Sequence, residues 1–446
     1  MTASEFHVAS VARCGLATLL LMPGGISLAQ SPDQPTSGKV AQSGHHQHAG
    51  DKQDQSLEQT CASPFSLPSA NCAKAPMPIF SKDGRLWLSF ASHGHVYLTY
   101  SSNLGQDFSA PVAVNSTPEL IYADKENRPK LAFGSKGEIY VSWTRKRAAK
   151  YSGEIRFSRS LDNGATFDAP RSVIDEGALS SHRFDNMAID DQGRLYLAWI
   201  DKRDKVSADA ADKVYPGAAV YYSVSGDGGK TFSPNIKVVD NSCECCRMKM
   251  EVAKGGRVHA LWRNIYPDFA RDNATAILSG ASVVKKAVRV SYDEWQVDAC
   301  PHHGPDISLD PSGRMHTTWF NGGGKRAGLV YGRFNGEQDL LEYDISIDSS
   351  ASASHPRVLA IGNTVYIAWK RFVGDATEIR LLKSLDAGVT WSSHQVVANT
   401  KNESDQMFLL SDGSQPYLSW RTDDEGYQLF ALEVRQVNRA IDANNG

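Results

Sequence analysis

Charge of one sign is not in surplus in this chain. Its 47 Lys and Arg stand against 50 Asp and Glu, a formal net charge of -3 over 446 residues. A nucleic-acid binder would carry a basic excess, so that class of partner is excluded. Long apolar runs are missing too. The run inside RCGLATLLLMPGGISLAQ at residues 13–30 is too short to span a membrane, and no later segment comes near the length required. One Arg, that short run and the small-x-small site Ser27-Leu28-Ala29 read instead as a secretory signal peptide over 1–29, cut after Ala29. The expected location is periplasmic or secreted. Large apolar residues are scarce from Ser31 to about Gln59, so residues 30–60 are expected to form a disordered polar linker. Its His45, His46 and His48 would catch a metal loosely or be incidental to a flexible tail. Phosphate-loop chemistry is absent as well: Gly322, Gly323 and Gly324 make a turn with no helix after it, and no organic cofactor is called for.

What is present is repetition. Seven strand-like runs end on a large aromatic, at Phe90, Trp143, Trp199, Trp262, Trp319, Trp369 and Trp420, with 50 to 63 residues between successive copies. That period suits one four-stranded sheet per copy and exceeds helical or leucine-rich repeats. In the second copy RPKLAFGS, GEIYVSW, GEIRFSRS and APRSVID alternate apolar and polar residues between Gly, Asn and Asp turns, as four strands should. Such a sheet cannot bury both faces alone, and radial stacking of the copies gives an all-β propeller over residues 61–437, with a tail at 438–446. The last copy lacks an obvious fourth strand; the segment from Cys61 to Lys74 could supply it and close the ring. Seven blades are preferred, with six as the alternative if the last copy is a cap.

Between third and fourth strands sit SLDNGATF (Ser160 to Phe167), SGDGGKTF (Ser225 to Phe232) and SLDAGVTW (Ser384 to Trp391), with a degraded SSNLGQDF at Ser101 to Phe108. Ser and Asp side chains can hold a turn by bonding nearby backbone groups, and Gly accepts positive φ. These octets resemble the Asp-box, S-x-D-x-G-x-T-W/F, of the sialidase (BNR repeat) superfamily over roughly residues 75–435. The resemblance implies a propeller. For a hydrolase of that type it implies an arginine triad for a substrate carboxylate, a Tyr nucleophile with a Glu partner, and an Asp acid/base. The sialidase F/Y-R-I-P motif is absent, with Asn127-Arg128-Pro129 only a partial echo. No catalytic residue is assigned: Tyr122 with Glu126, or Tyr266 with Glu244, are the pairs that could be tried. The stretch from Cys243 to Pro305 also resembles a branch of uncharacterised secreted sialidase-like proteins with a Cys-x-Cys-Cys segment, which implies no activity. Fold does not carry function with it.

Residues just ahead of each first strand should surround the central channel on one face. They include Glu126-Asn127-Arg128, Ser181-His182-Arg183, Cys243 to Arg247, Cys300 to Pro305, His355-Pro356-Arg357 and Ser404-Asp405-Gln406. Arg128, Arg183, Arg247 and Arg357 therefore converge, and Arg263 and Arg271 flank an insertion, Asn264 to Ala270, expected to overhang the same mouth. Guanidinium clusters receive carboxylates and phosphates; individually, Arg183 beside Asp185 and Arg271 beside Asp272 could equally be braces. Cys61 and Cys72 fit a local disulfide. Cys243, Cys245, Cys246 and Cys300, with His302 and His303, suit a soft ion, copper or zinc; a disulfide between the two clusters, such as Cys246 to Cys300, or free thiols are the other outcomes. His182 and His355 would be ligands of lesser rank. The buried Trp residues and His259 and His316 are expected to be structural.

The leading expectation is a secreted metal-binding propeller. The alternative is an exo-α-sialidase-type glycoside hydrolase using the arginine cluster on an acidic sugar, and a third is a non-catalytic protein- or glycan-binding propeller. Partners would be a small-molecule or glycan ligand, or a metal-handling protein.

Overall fold

The computed structural model describes residues 56–63, 66–124, 126–175, 180–299, 301–336 and 340–433. The expected signal peptide, most of the linker, the C-terminal tail and Cys300 lie outside the described residues. Contrary to the expected disorder up to residue 60, Leu57–Ala62 forms a short helix. Ser56 caps it: its hydroxyl accepts from the Gln59 N–H while Gln59 reaches back to the Ser56 backbone, satisfying two donors at once. Cys61 and Cys72 are joined in a disulfide, as their spacing suggested. Among the described residues no helix is long and apolar enough to cross a membrane.

The described strands sort into seven successive antiparallel units. Their first strands are Lys74–Phe80, Lys130–Phe133, His182–Ile189, Lys249–Val252, Asp306–Leu309, Ala353–Ile361 and Phe408–Ser411. Four units are separate four-stranded sheets in sequence order, the third and fourth join into one eight-stranded sheet where Ser242 pairs with Asn264, and the last has three strands, Phe408–Ser411, Pro416–Thr422 and Gly426–Ala431. Each first strand packs on the next unit's first strand, and the seventh returns to Lys74–Phe80, so the inner strands surround a common axis. This is a β-propeller. The Cys61–Lys74 segment does not pair as a fourth strand of the last unit. Asn71 instead accepts the Tyr427 N–H on its side-chain oxygen and Arg421 Nε on its carbonyl, while Ala70 and Ala73 pack with Leu410, Tyr417 and Tyr427.

The core lies between neighbouring units, where the closing aromatics are buried. Each Trp among them also finds a partner for its indole N–H, from Asp201 at 2.7 Å for Trp199 to Asn264 at 3.1 Å for Trp262. The octets form the turns their chemistry implies. In the sixth unit Ser384 Oγ accepts from Gly388 N–H at 2.8 Å, and Asp386 takes the Thr390 N–H at 2.8 Å and its hydroxyl at 2.6 Å. The last residue of each octet faces the preceding unit: Phe232 meets Phe157 edge-on, Trp391 meets Tyr331, and Phe108 of the first unit meets Tyr427 of the last.

Candidate active site

Because the second strand runs antiparallel to the first, its C-terminal end comes back to the mouth where the first strand begins. Register places Asp201 opposite His182 and Lys370 opposite Ser354. The mouth is thus built from two sets of residues, those before the inner strand and those after the closing Trp. The first set was legible in the sequence; of the second, Lys370 and Arg421 were not recognised, although each directly follows its Trp.

A cavity of about 750 Å³ occupies this mouth, lined among others by Lys74, Asp124, Glu126, Arg183, His302 and His355. A narrower space of about 120 Å³ lies against it along the channel, with Glu126 shared and Arg128, Arg247 and Arg357 in its walls. The six expected arginines therefore do not act as one set. Arg128 donates to Asp405 at 2.9 and 3.2 Å and to the Pro76 carbonyl. Arg247 donates to both Glu126 oxygens at 3.0 Å. Arg357 reaches the Met407 carbonyl at 3.2 Å and stands 3.9 Å from Asp306. Each is partly or wholly neutralised before any ligand arrives.

Arg263 and Arg271 are in the wall, not the mouth. Arg263 donates to the carbonyls of Arg271, His303 and Phe320, and Arg271 Nε to that of Val297. The Asn264 to Ala270 turn contributes no side chain to the cavity lining. Arg183 is different: its guanidinium lies over Tyr122 at 4.3 Å and Phe184 at 4.6 Å, its Nε has no hydrogen-bond partner, and no carboxylate among the described residues pairs with it. Asp185 instead accepts from Ser142, and Asp272 pairs with Arg289. Neither trial Tyr/Glu pair forms a dyad, for Tyr122 stacks on Arg183, while Glu244 pairs with Lys202 and Tyr266 with Arg289.

The histidines divide likewise. His182 is engaged by Ser180 and Asp201, each at 3.0 Å, and is structural. His316 is held by Tyr331 and Asp310, as expected of a core residue. His303 and His355 have ring centroids 4.3 Å apart, and His355 Nε2 is 3.5 Å from Glu126. Burial, then the Arg263, Arg247 and His302 charges, lowers the His303 pKa to about 3. Burial, then His303 and the Arg247, Lys370 and Arg357 charges, pushes His355 well below its ordinary value. Both imidazoles are therefore neutral at physiological pH, and neutral imidazole is a proton acceptor.

Three thiols converge apart from the mouth. Cys243, Cys245 and Cys246 are buried between the third and fourth units, their Sγ atoms all within 4.8 Å of one another. Cys243 lies 3.0 Å from Cys246 and 3.9 Å from Cys245. Hydrogen bonds shared with those two thiols, helped by the Arg271 charge, pull the Cys243 thiol well below its usual pKa; burial pushes Cys246 up. His302 and His303 do not join this group.

No family model matches the chain, and no curated protein matches its sequence. Solved structures do share the fold. An ulvan lyase bound to -[GlcA(1-4)Rha3S]-, from a polysaccharide lyase family, aligns over 80% of this chain and 93% of its own at 11% identity, TM-score 0.52. A Penicillium chrysogenum α-L-arabinanase complexed with arabinobiose aligns over 73% and 98% at 12% identity, TM-score 0.49. A Hadza microbial sialidase aligns over 79% and 73% at 12% identity, TM-score 0.45. At such identities the likeness is one of fold.

Proposed function

We propose that this propeller is a secreted carbohydrate-active protein whose mouth takes an acidic sugar, with a uronate-containing glycan as the favoured substrate and β-elimination as the reaction. The observation that carries the reading is Arg183: a cation on the wall of the large cavity, with no carboxylate partner among the described residues, facing the same space as the neutral His355. A guanidinium without a counter-ion is a receptor for a ligand carboxylate. Neutralising that carboxylate acidifies C5 beside it; a neutral imidazole can accept the C5 proton while the C4=C5 double bond forms, the C4–O glycosidic bond breaks, and the departing oxygen takes a proton from water in the open mouth. The Cys61–Cys72 disulfide supports an oxidising compartment.

Hydrolysis through paired carboxyl groups is less well supported. It needs one carboxyl group to donate a proton and another to attack or to activate water. Four of the five acids lining the mouth are committed elsewhere: Glu126 to Arg247, Asp405 to Arg128, Asp423 to Arg421, and Asp124 to the N–H groups of Glu126 and Asn127. The uronate-bearing ligand of the ulvan lyase agrees with this substrate class.

The test is a panel of uronate polysaccharides and sialosides, followed by ultraviolet absorbance of the unsaturated uronate product. Turnover of a uronate polymer, reduced at least about 100-fold in kcat by His355→Gln, is the expected result. Release of free sialic acid would move the assignment to hydrolysis. No turnover and no binding of any acidic oligosaccharide would refute both.

A further inference from the structure

Arg263 and Arg271 are buried side chains whose charges act on Cys246 and Cys243, and neither has an acidic partner among the described residues. Arg263 is 1% exposed and Arg271 6%; their hydrogen bonds run to carbonyls, and Arg271 Nη1 has no partner at all. Neighbouring acids are spent on other cations, Glu244 on Lys202 and Asp272 on Arg289. Two buried positive charges without counter-charge would cost several kcal/mol each. The groups at hand that can supply negative charge are the sulfurs. Cys243 N–H donates to the Arg263 carbonyl at 2.9 Å, tying the thiol loop to that arginine's strand.

We infer that Cys243, Cys245 and Cys246 form a buried site for a soft monovalent cation, copper(I). Three thiolates around one such ion carry a net charge of minus two, which Arg263 and Arg271 together balance; a divalent zinc ion would leave one positive charge over. Thiolate sulfur is the donor that copper(I) prefers, and binding removes the thiol protons. Thiolates about 2.3 Å from a shared ion stand roughly 4 Å apart in a trigonal site. The Cys243–Cys245 separation already matches at 3.9 Å, and the Cys243–Cys246 pair at 3.0 Å opens by about an ångström on loading. Met248 and Met250, in the same packed cluster, keep the surroundings soft and dry. The thiol loop runs directly into Arg247, so the ion braces the residue that grips Glu126. This site is independent of the sugar reading.

The full chain, reduced and loaded anaerobically with copper(I) alone, is examined by metal analysis and by X-ray absorption at the copper edge. The expected result is one tightly held copper per chain with sulfur scatterers only. Any copper on His45, His46 and His48 would show nitrogen instead. Cys246→Ser should weaken copper(I) binding at least about 100-fold. Because that substitution could also disturb the packed core, the wild-type absorption spectrum decides. Zinc held in preference to copper, nitrogen bound to the single tightly held copper of a variant with His45, His46 and His48 replaced by Ala, or a disulfide to any of the three cysteines in non-reducing peptide maps of the isolated protein would overturn the proposal.

Discussion

Arg247 reaches from the fourth unit to the second and holds both carboxylate oxygens of Glu126 at 3.0 Å, although 121 residues separate them. Both side chains are almost fully buried. A buried pair of this kind, with Nη1 shared between the two oxygens, is costly to break because the remaining charge is stranded. Arg247→Ala should therefore destabilise the protein by about 3–5 kcal/mol. Adding Glu126→Gln removes the stranded charge and should restore part of that loss. Urea denaturation of the two single variants and the double variant measures it; simple additivity would show that the two residues do not act as a pair.

Arg183 makes the opposite case. Its contacts are with Tyr122 and Phe184 rings, each contact contributing about 0.5–1 kcal/mol. Arg183→Gln should cost no more than about 2 kcal/mol in stability. It should weaken binding of an acidic oligosaccharide about tenfold or more, because a charge-assisted contact is lost. Calorimetry with the acidic sugar and its neutral counterpart separates the effects: affinity for the neutral sugar stays level.

This contrast marks where the sequence stopped being informative. The repeat period, the octets and the lead-ins to the inner strands are local patterns, and they place Arg128, Arg183, Arg247 and Arg357 at the channel. Which arginine is available depends on partners that sequence adjacency does not reveal. Arg128 finds Asp405 at a separation of 277 residues, whereas Asp185 and Asp272, the neighbours that looked like partners for Arg183 and Arg271, bind Ser142 and Arg289. The missing fourth strand of the last unit was legible, but the role of Cys61–Lys74 was not: it has the length of a strand, yet it packs there through Ala70, Asn71 and Ala73 without pairing. The thiol trio was visible as a motif, but its separation from His302 and His303 is a matter of tertiary placement.

Acid should destabilise the mouth through its histidines. His303 is packed on Phe320 and His355, with Arg263, Arg247 and His302 as the charges acting on it, and its pKa falls from 6.5 to about 3. Between those values the unfolded chain binds a proton that the folded chain does not, so stability falls as pH drops through that window. One such group contributes a slope of about 1.4 kcal/mol per pH unit. Denaturation from pH 7 to pH 4 should show this slope, steepened by His355, and His303→Gln should flatten it. A variant with an unchanged slope would remove His303 from the account.

The octet turn can be tested at one atom. Gly388 has φ +83°, and a Cβ there would lie 2.0 Å from the Tyr331 hydroxyl of the preceding unit. Gly362, in the hairpin of the same unit, has φ +59° and open space around its missing Cβ. Gly362→Ala should therefore cost only the backbone term, about 1 kcal/mol. Gly388→Ala carries the same backbone term and must also displace Tyr331, whose hydroxyl bonds His316 at 2.7 Å and whose ring packs on Trp391. Its cost should exceed that of Gly362→Ala by at least about 1–2 kcal/mol, the penalty of overpacking a well-filled core. Thermal unfolding of the two variants side by side decides it. Equal losses would mean that the octet holds its own turn without joining one unit to the next.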